Sequence, residues 1–146
     1  VPGVRIYTAK VTVPVWESGD NSGELTTGIL IRPGARDNEA ADVSREFGLN
    51  VGYRQYFLEN AQVELALYPS YAMEEGNAVT GEDYQGFALT TEVYGGYRFD
   101  IDSEAPVTFY ALPQVGVGYT VFSDLGPSEE EERPSPTVNL QLGGRF

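Results

Sequence analysis

The chain has no cysteine and no histidine. Without cysteine, neither a disulfide nor a thiolate metal site can hold it together. Without histidine it lacks the usual neutral-pH acid–base group and the commonest metal ligand. Basic residues are few: nine Lys and Arg stand against 22 Asp and Glu, a formal net charge of -13. Such a surface repels phosphate backbones, so no nucleic-acid partner is expected. No stretch approaches the roughly 18 apolar residues of a spanning helix. The N-terminus shows no signal-peptide pattern, which is compatible with a removed export signal ahead of Val1. Its 146 residues suit a single domain, 1–146.

What is abundant points to sheet. Seventeen Gly, ten Tyr and seven Phe accompany one Met and one Trp, a composition of pleated, turn-rich structure rather than helix. Period-two alternation then divides the chain into strands. Phe47, Leu49, Val51, Tyr53 and Phe57 share one face, broken only by Gln55. Val63, Leu65, Leu67, Pro69 and Tyr71 form the next apolar face, opposite Gln62, Glu64, Ala66, Tyr68 and Ser70. Phe87–Phe99, Val107–Val121 and Val138–Phe146 repeat the pattern, and the less regular segments 4–16 and 23–32 complete seven strands. Pro69 and Pro113 fall inside these strands, where each requires a bulge, an edge or a position without the usual donor bond.

Strand length and face chemistry favour a transmembrane barrel over a soluble one. Several segments exceed ten residues, whereas an ordinary strand has about five or six and a tilted membrane strand about 9–11. The less apolar face mixes Gly and Ala with Asn, Gln, Thr, Tyr and charges, as a narrow lumen would. Phe47, Phe57, Tyr71, Phe87, Tyr97, Phe99, Phe109, Tyr119 and Phe146 lie near the ends of the apolar faces, where membrane aromatic belts belong. The expected fold is therefore all-β, an antiparallel up-and-down transmembrane barrel. Connectors alternate between short turns and the longer segments Pro33–Arg45, Ala72–Glu82 and Ser123–Ser135. Single-chain bacterial barrels have even strand numbers, so seven strands imply an eighth, ascending strand ahead of Val1, or a misreading of residues 1–32.

The segments VGYRQYF, YGGYRFD, PQVGVGYTVF and NLQLGGRF resemble the small eight-stranded bacterial outer-membrane β-barrel family. The resemblance spans residues 46–146, and its motifs describe a barrel wall rather than a chemical site. Phe146, preceded by Gly144, Leu142, Leu140 and Val138, is similar to the C-terminal signal such proteins present to the insertion machinery. The resemblance implies export by a signal peptide, an outer-membrane location and both termini in the periplasm. It implies no single activity. The lipid-modifying enzymes among similar barrels look to His, which this chain lacks.

Candidate functional residues follow from the faces. Arg54, Glu64, Glu92, Arg98 and Arg145 share the polar side, and the short turn sets Arg54 nearly opposite Glu64, so a paired lumenal network is expected. It is read as structural, with an ion or small-solute selectivity element as the alternative. Arg36, Asp37, Glu74, Glu75 and the run Glu129, Glu130, Glu131 and Glu132 lie in the long loops and are interaction candidates. That acidic run lacks the spaced ligands of a calcium loop, so neither a metal nor a cofactor is expected. No nucleophile has a neighbouring base and orienting group, so no enzyme is expected. The reading is a noncatalytic outer-membrane barrel that contacts membrane lipid and offers its loops to an extracellular or envelope protein partner. The alternative from another class is a soluble secreted barrel holding an apolar ligand. The two differ in which face of Phe47–Phe57 looks outward.

Overall fold

The computed structural model describes residues 7–36, 43–76, 80–101, 106–124 and 134–145. These form one antiparallel sheet of eight strands: β1 (Tyr7–Ser18), β2 (Asn21–Arg36), β3 (Val43–Phe57), β4 (Ala61–Glu75), β5 (Tyr84–Tyr97), β6 (Phe99–Ile101), β7 (Thr108–Ser123) and β8 (Ser135–Arg145). β5 and the three-residue β6 both pair with β7 and occupy a single row, so eight strands make seven rows. Among the described residues no pairing joins β1 to β8. The strand expected ahead of Val1 lies outside the described residues.

The sheet is curled toward a barrel. Lys10 on β1 reaches Glu64 on β4 at 3.1 Å, and Arg54 on β3 donates to Gln141 on β8 at 2.6 Å. A flat sheet would hold those side chains several strand spacings apart.

Prolines account for the interruptions. Pro69 and Pro113 have no N–H to give to a ladder. The β3–β4 register lapses between Gly48–Ser70 and Val51–Leu67, the stretch containing Pro69. The row opposite β7 breaks between Gly96–Gln114 and Phe99–Ala111, the stretch containing Pro113, and this separates β6 from β5. Arg98, at the break, turns its N–H to the Asn60 carbonyl at 2.9 Å. Pro14 adjoins a register shift in edge strand β1, and Pro33 lies within one in β2.

Two further irregularities re-aim aromatics. Alternation puts Trp16 on the polar face with Lys10, but the shift between Pro14 and Trp16 brings it beside Gly23 on the outer face. There its indole N–H donates to the Tyr53 hydroxyl at 2.8 Å. The β5–β7 shift that pairs Leu89 with Phe122 and Thr90 with Thr120 leaves Phe122 half-exposed. An extra residue in one strand of a pair is the known way to turn a side chain across a sheet.

The strands run further than alternation indicates. The loop expected over Pro33–Arg45 is narrowed, because β2 continues to Arg36 and β3 begins at Val43. β4 continues to Glu75, so Glu74 and Glu75 belong to a strand end and not to a loop. Backbone pairing outlasts the apolar pattern there, and Arg45 opposite forms an exposed 3.7 Å ion pair with Glu75. At the other end the hairpins are tight. Gly19 (φ 57°) takes the first position of the two-residue β1–β2 loop, where a positive φ suits strand twist. Leu58 (φ 50°) and Glu59 (φ 69°) adopt the left-handed conformation in the β3–β4 turn, and the Glu59 N–H donates to the Asp20 carbonyl at 2.7 Å.

Candidate functional site

The interior of the curl is polar. Arg54 and Glu64 are fully buried, together with Asn50, Thr26, Gln62, Ser70 and Gln114. Apolar companions are few: Leu30, Leu112, Ala66, Ala72 and the rings of Tyr56, Tyr68 and Tyr94. Small and large residues interleave to fit this width. A Cβ on Gly116 would stand 2.7 Å from the Tyr94 ring, and one on Gly96 2.8 Å from the Gln62 amide nitrogen. Gly95, on the opposite face, has open space around it.

Glu64 is the centre of the interior. Its carboxylate accepts from Arg54 Nη2 at 2.8 Å and Nε at 3.2 Å, from Lys10 at 3.1 Å, from Gln114 at 2.9 Å and from Gln141 at 3.4 Å. Register makes the first contact, because Arg54 and Glu64 are direct partners on β3 and β4. Curvature makes the others, which arrive from β1, β7 and β8. Arg54 is further held by Gln141, by the Tyr56 hydroxyl at 3.3 Å, and by Glu24 at 3.8 Å. Asn139 and Gln141 both donate to Gln114, closing a belt of amides across the lumen. A buried carboxylate with two cationic partners and amide donors satisfies the condition on which buried charge is tolerated.

The other polar-face residues extend from this centre unequally. Arg98 is buried over the Tyr56 ring, 4.8 Å from its centroid, and lies 2.9 Å from Asp100. Glu92 is half-buried and accepts from the Tyr94 hydroxyl. Arg145 is exposed at the end of β8, opposite Thr108 and four residues beyond Gln141. Lys10, Glu24, Gln114, Asn139 and Gln141 belong to the cluster but are not evident from charge and adjacency. Alternation assigns them a face; only the curl sets them at one height.

The outer surface is apolar. Leu49, Val51, Leu65, Leu67, Val93, Val115 and Val117 are all exposed along the middle of the wall. Phe47, Tyr71 and Phe87 lie in register across β3, β4 and β5, with ring centroids 6.5 and 5.2 Å apart. Ten residues further along their strands stand Phe57 and Tyr97, and Tyr97 is 5.0 Å from Phe99. Phe109 and Trp16 stand exposed at this second end, and Tyr119 and Phe122 toward the first. Phe146 lies outside the described residues. Ten residues of strand measure about 33 Å, which at a barrel tilt of about 35–45° becomes roughly 23–27 Å of height. The apolar band of an outer-membrane barrel is about 25 Å tall. Gln55, the one polar break in the Phe47–Phe57 segment of this face, is satisfied by the Tyr53 hydroxyl and by the backbone carbonyls of Ser22 and Tyr56.

Of the loop candidates, Arg36 closes β2 and Glu74 and Glu75 close β4, while Asp37, Glu129, Glu130, Glu131 and Glu132 lie outside the described residues. Among the described residues, no three acidic side chains gather as metal ligands would. Among the described residues no helix is long and apolar enough to cross a membrane, which says nothing of crossing by strands. Comparisons with protein-family models, with curated proteins and with solved structures find no match to the chain. The class these features define is an antiparallel, barrel-like sheet with a polar interior.

Proposed function

We propose that the chain is the wall of a noncatalytic bacterial outer-membrane barrel, with a structural or surface-interaction role exercised through its loops. One observation carries this reading: the large apolar side chains face outward between two aromatic belts, while the charges face in. In water that arrangement would be inverted, since each large aliphatic side chain gains about 1.5–3 kcal/mol by leaving solvent. A continuous apolar surface of this extent is the mark of a membrane or an extensive protein interface. Membrane lipid is accordingly its main partner. The acidic loops would favour a cationic partner outside the bilayer.

The interior argues against the other readings. A pocket for an apolar ligand would not be lined by Arg54, Glu64, Gln114 and Gln141. An ion pathway would have to displace the hydrogen bonds that Lys10, Gln114 and Gln141 send across the lumen. Glu64 has its oxygens occupied by cations and amides, which is how a structural carboxylate is held and not how a general base is presented. The test is extraction of membranes with and without detergent, followed by electrophoresis of unheated and boiled samples. The expected result is a detergent requirement and a heat-dependent change in migration. Full solubility without detergent overturns the proposal.

A further inference from the structure

The outer wall carries a polar recess at the end where the hairpins are tight. Trp16, Ser18, Asn21, Gln55 and Phe57, from β1, β2 and β3, line a shallow space of about 580 Å³. Three departures from the regular wall build it. The register shift after Pro14 turns Trp16 outward. Gly23 lies between Trp16 and Gln55 in one cross-strand row, and a Cβ there would collide with the Trp16 indole nitrogen and the Tyr53 hydroxyl. The third is a chain of hydrogen bonds. Trp16 donates to the Tyr53 hydroxyl at 2.8 Å, Tyr53 donates to Gln55 at 2.8 Å, and the Gln55 amide is tied to two backbone carbonyls. This platform is ordered by its own bonds and needs no ligand to form it. Ser18 and Asn21 add an exposed hydroxyl and an exposed amide. The rim beyond them is acidic. Asp20 precedes Asn21 in the β1–β2 turn, and the Glu59 N–H bond to the Asp20 carbonyl, 2.7 Å, holds those two residues side by side. Glu59 does this at a φ of 69°, which residues other than Gly seldom take. Both carboxylates are exposed, and neither makes an ion pair among the described residues. Arg98, whose backbone N–H meets the same β3–β4 turn, is buried over Tyr56 and paired with Asp100.

We propose that this recess binds the headgroup of a zwitterionic phospholipid with a primary amine, phosphatidylethanolamine. The inference rests on the membrane reading of the wall and names one lipid class for this part of it. The order of groups along the wall matches the order of groups in such a lipid. Its acyl chains lie against the apolar band that begins at Trp16 and Phe57. The Ser18 hydroxyl and the Asn21 amide donate to its phosphate, which sits between the band and the turns. Its ammonium, outermost, meets the Asp20 and Glu59 carboxylates, where charge-assisted hydrogen bonds are the strong ones. An anionic headgroup brings net negative charge to the same carboxylates and is repelled. A quaternary amine has no N–H to give them, so a choline headgroup binds less well.

Trp16, the only tryptophan, stands in the recess and reports on it. The chain is reconstituted in vesicles of phosphatidylethanolamine, phosphatidylcholine and phosphatidylglycerol at equal mole fractions. One class at a time carries bromine, always at the same acyl position, and Trp16 quenching measures which class sits beside it. The ethanolamine lipid should show a relative binding constant about three- to fivefold above the choline lipid, within the range that two exposed ion contacts supply. The glycerol lipid should fall below both. In about 1 M salt, where the screening length is ~3 Å, the preference should drop toward parity. Asp20→Asn/Glu59→Gln should abolish it, while Glu74→Gln/Glu75→Gln, at the far end of β4, should keep it. Equal quenching by the three classes, or a preference for the choline or glycerol lipid, overturns the proposal. So does a preference that survives high salt or the Asp20→Asn/Glu59→Gln change. Loss of the preference in Glu74→Gln/Glu75→Gln overturns it too, by making net charge and not the recess its source. Quenching by none of the lipids refutes the membrane assignment and this inference with it, whereas quenching without class preference refutes the inference alone.

Discussion

Glu64 shows how much of this molecule depends on a single side chain. It is the shared acceptor for Arg54, Lys10, Gln114 and Gln141, and its own exposure is nil. Truncation to Ala removes the carboxylate between Arg54 and Lys10 and leaves Arg54 only the longer 3.8 Å contact with Glu24. Losing one partner of a buried pair costs about 3–5 kcal/mol, so Glu64→Ala should unfold in detergent at markedly lower urea or temperature than the parent chain. The double change Arg54→Met/Glu64→Met removes the stranded Arg54 charge together with its partner. It should recover part of that loss, because replacing a buried pair by apolar groups of similar volume is often close to neutral. The heat-dependent gel shift, followed against temperature, measures both variants. Equal stability of Glu64→Ala and the parent would mean that water reaches the cluster freely and that the lumen is not packed as described. The register of Arg54 against Glu64 was readable from the sequence, since a short turn and period two place them opposite. The contribution of Lys10 was not, because it lies 54 positions earlier in the chain with two strands between it and its partner's strand, and no local pattern encodes that closure.

At the scale of the strand, alternation identifies which face each residue takes wherever the ladder is regular, as it does from Phe47 to Phe57. It fails where the chain departs from period two. Trp16 and Phe122 change face at register shifts, and strand ends such as Glu74–Glu75 pair after their apolar pattern has stopped. Pro113 is the informative case, because its position in a strand was visible and its consequence was not. A carbonyl from Pro113 faces Gly96, 2.5 Å from where a Cβ there would stand, so the face without a donor is turned toward the β5–β6 row. That row breaks at Arg98. Pro113→Val restores an N–H at this point and should join β5 to β6 without displacing β8, which already pairs with Pro113 through Leu140. Hydrogen exchange at Tyr97–Phe99 should slow by about an order of magnitude, with β8 amides unchanged. Unchanged exchange at Tyr97–Phe99 would show that Arg98, held by the Tyr56 ring and Asp100, imposes the break independently of the proline.

For the whole molecule, the orientation of the apolar face sets the solvent, and the chain carries its own reporter of it. Trp16 is the only tryptophan, and its register shift turns it onto the outer wall near Phe57, at the end where the hairpins are tight. Tyr53 accepts its N–H, so the ring is anchored with its apolar body still exposed. That is the position of an interfacial aromatic, amphipathic and level with the headgroups. In vesicles of phospholipids brominated at defined acyl positions, Trp16 emission should be quenched, more strongly by bromines near the headgroups than by bromines near the bilayer centre. Aqueous iodide should quench it less in vesicles than in urea. A soluble sheet of the same shape would give the reverse: no response to brominated chains at any depth and full access to iodide. The depth dependence carries further information, because the belts lie roughly 23–27 Å apart on the wall. Quenching strongest at the bilayer centre would place the Phe57–Tyr97 end in mid-membrane, leave the Phe47–Phe87 end in water, and remove the correspondence between belt spacing and apolar thickness on which the membrane proposal stands.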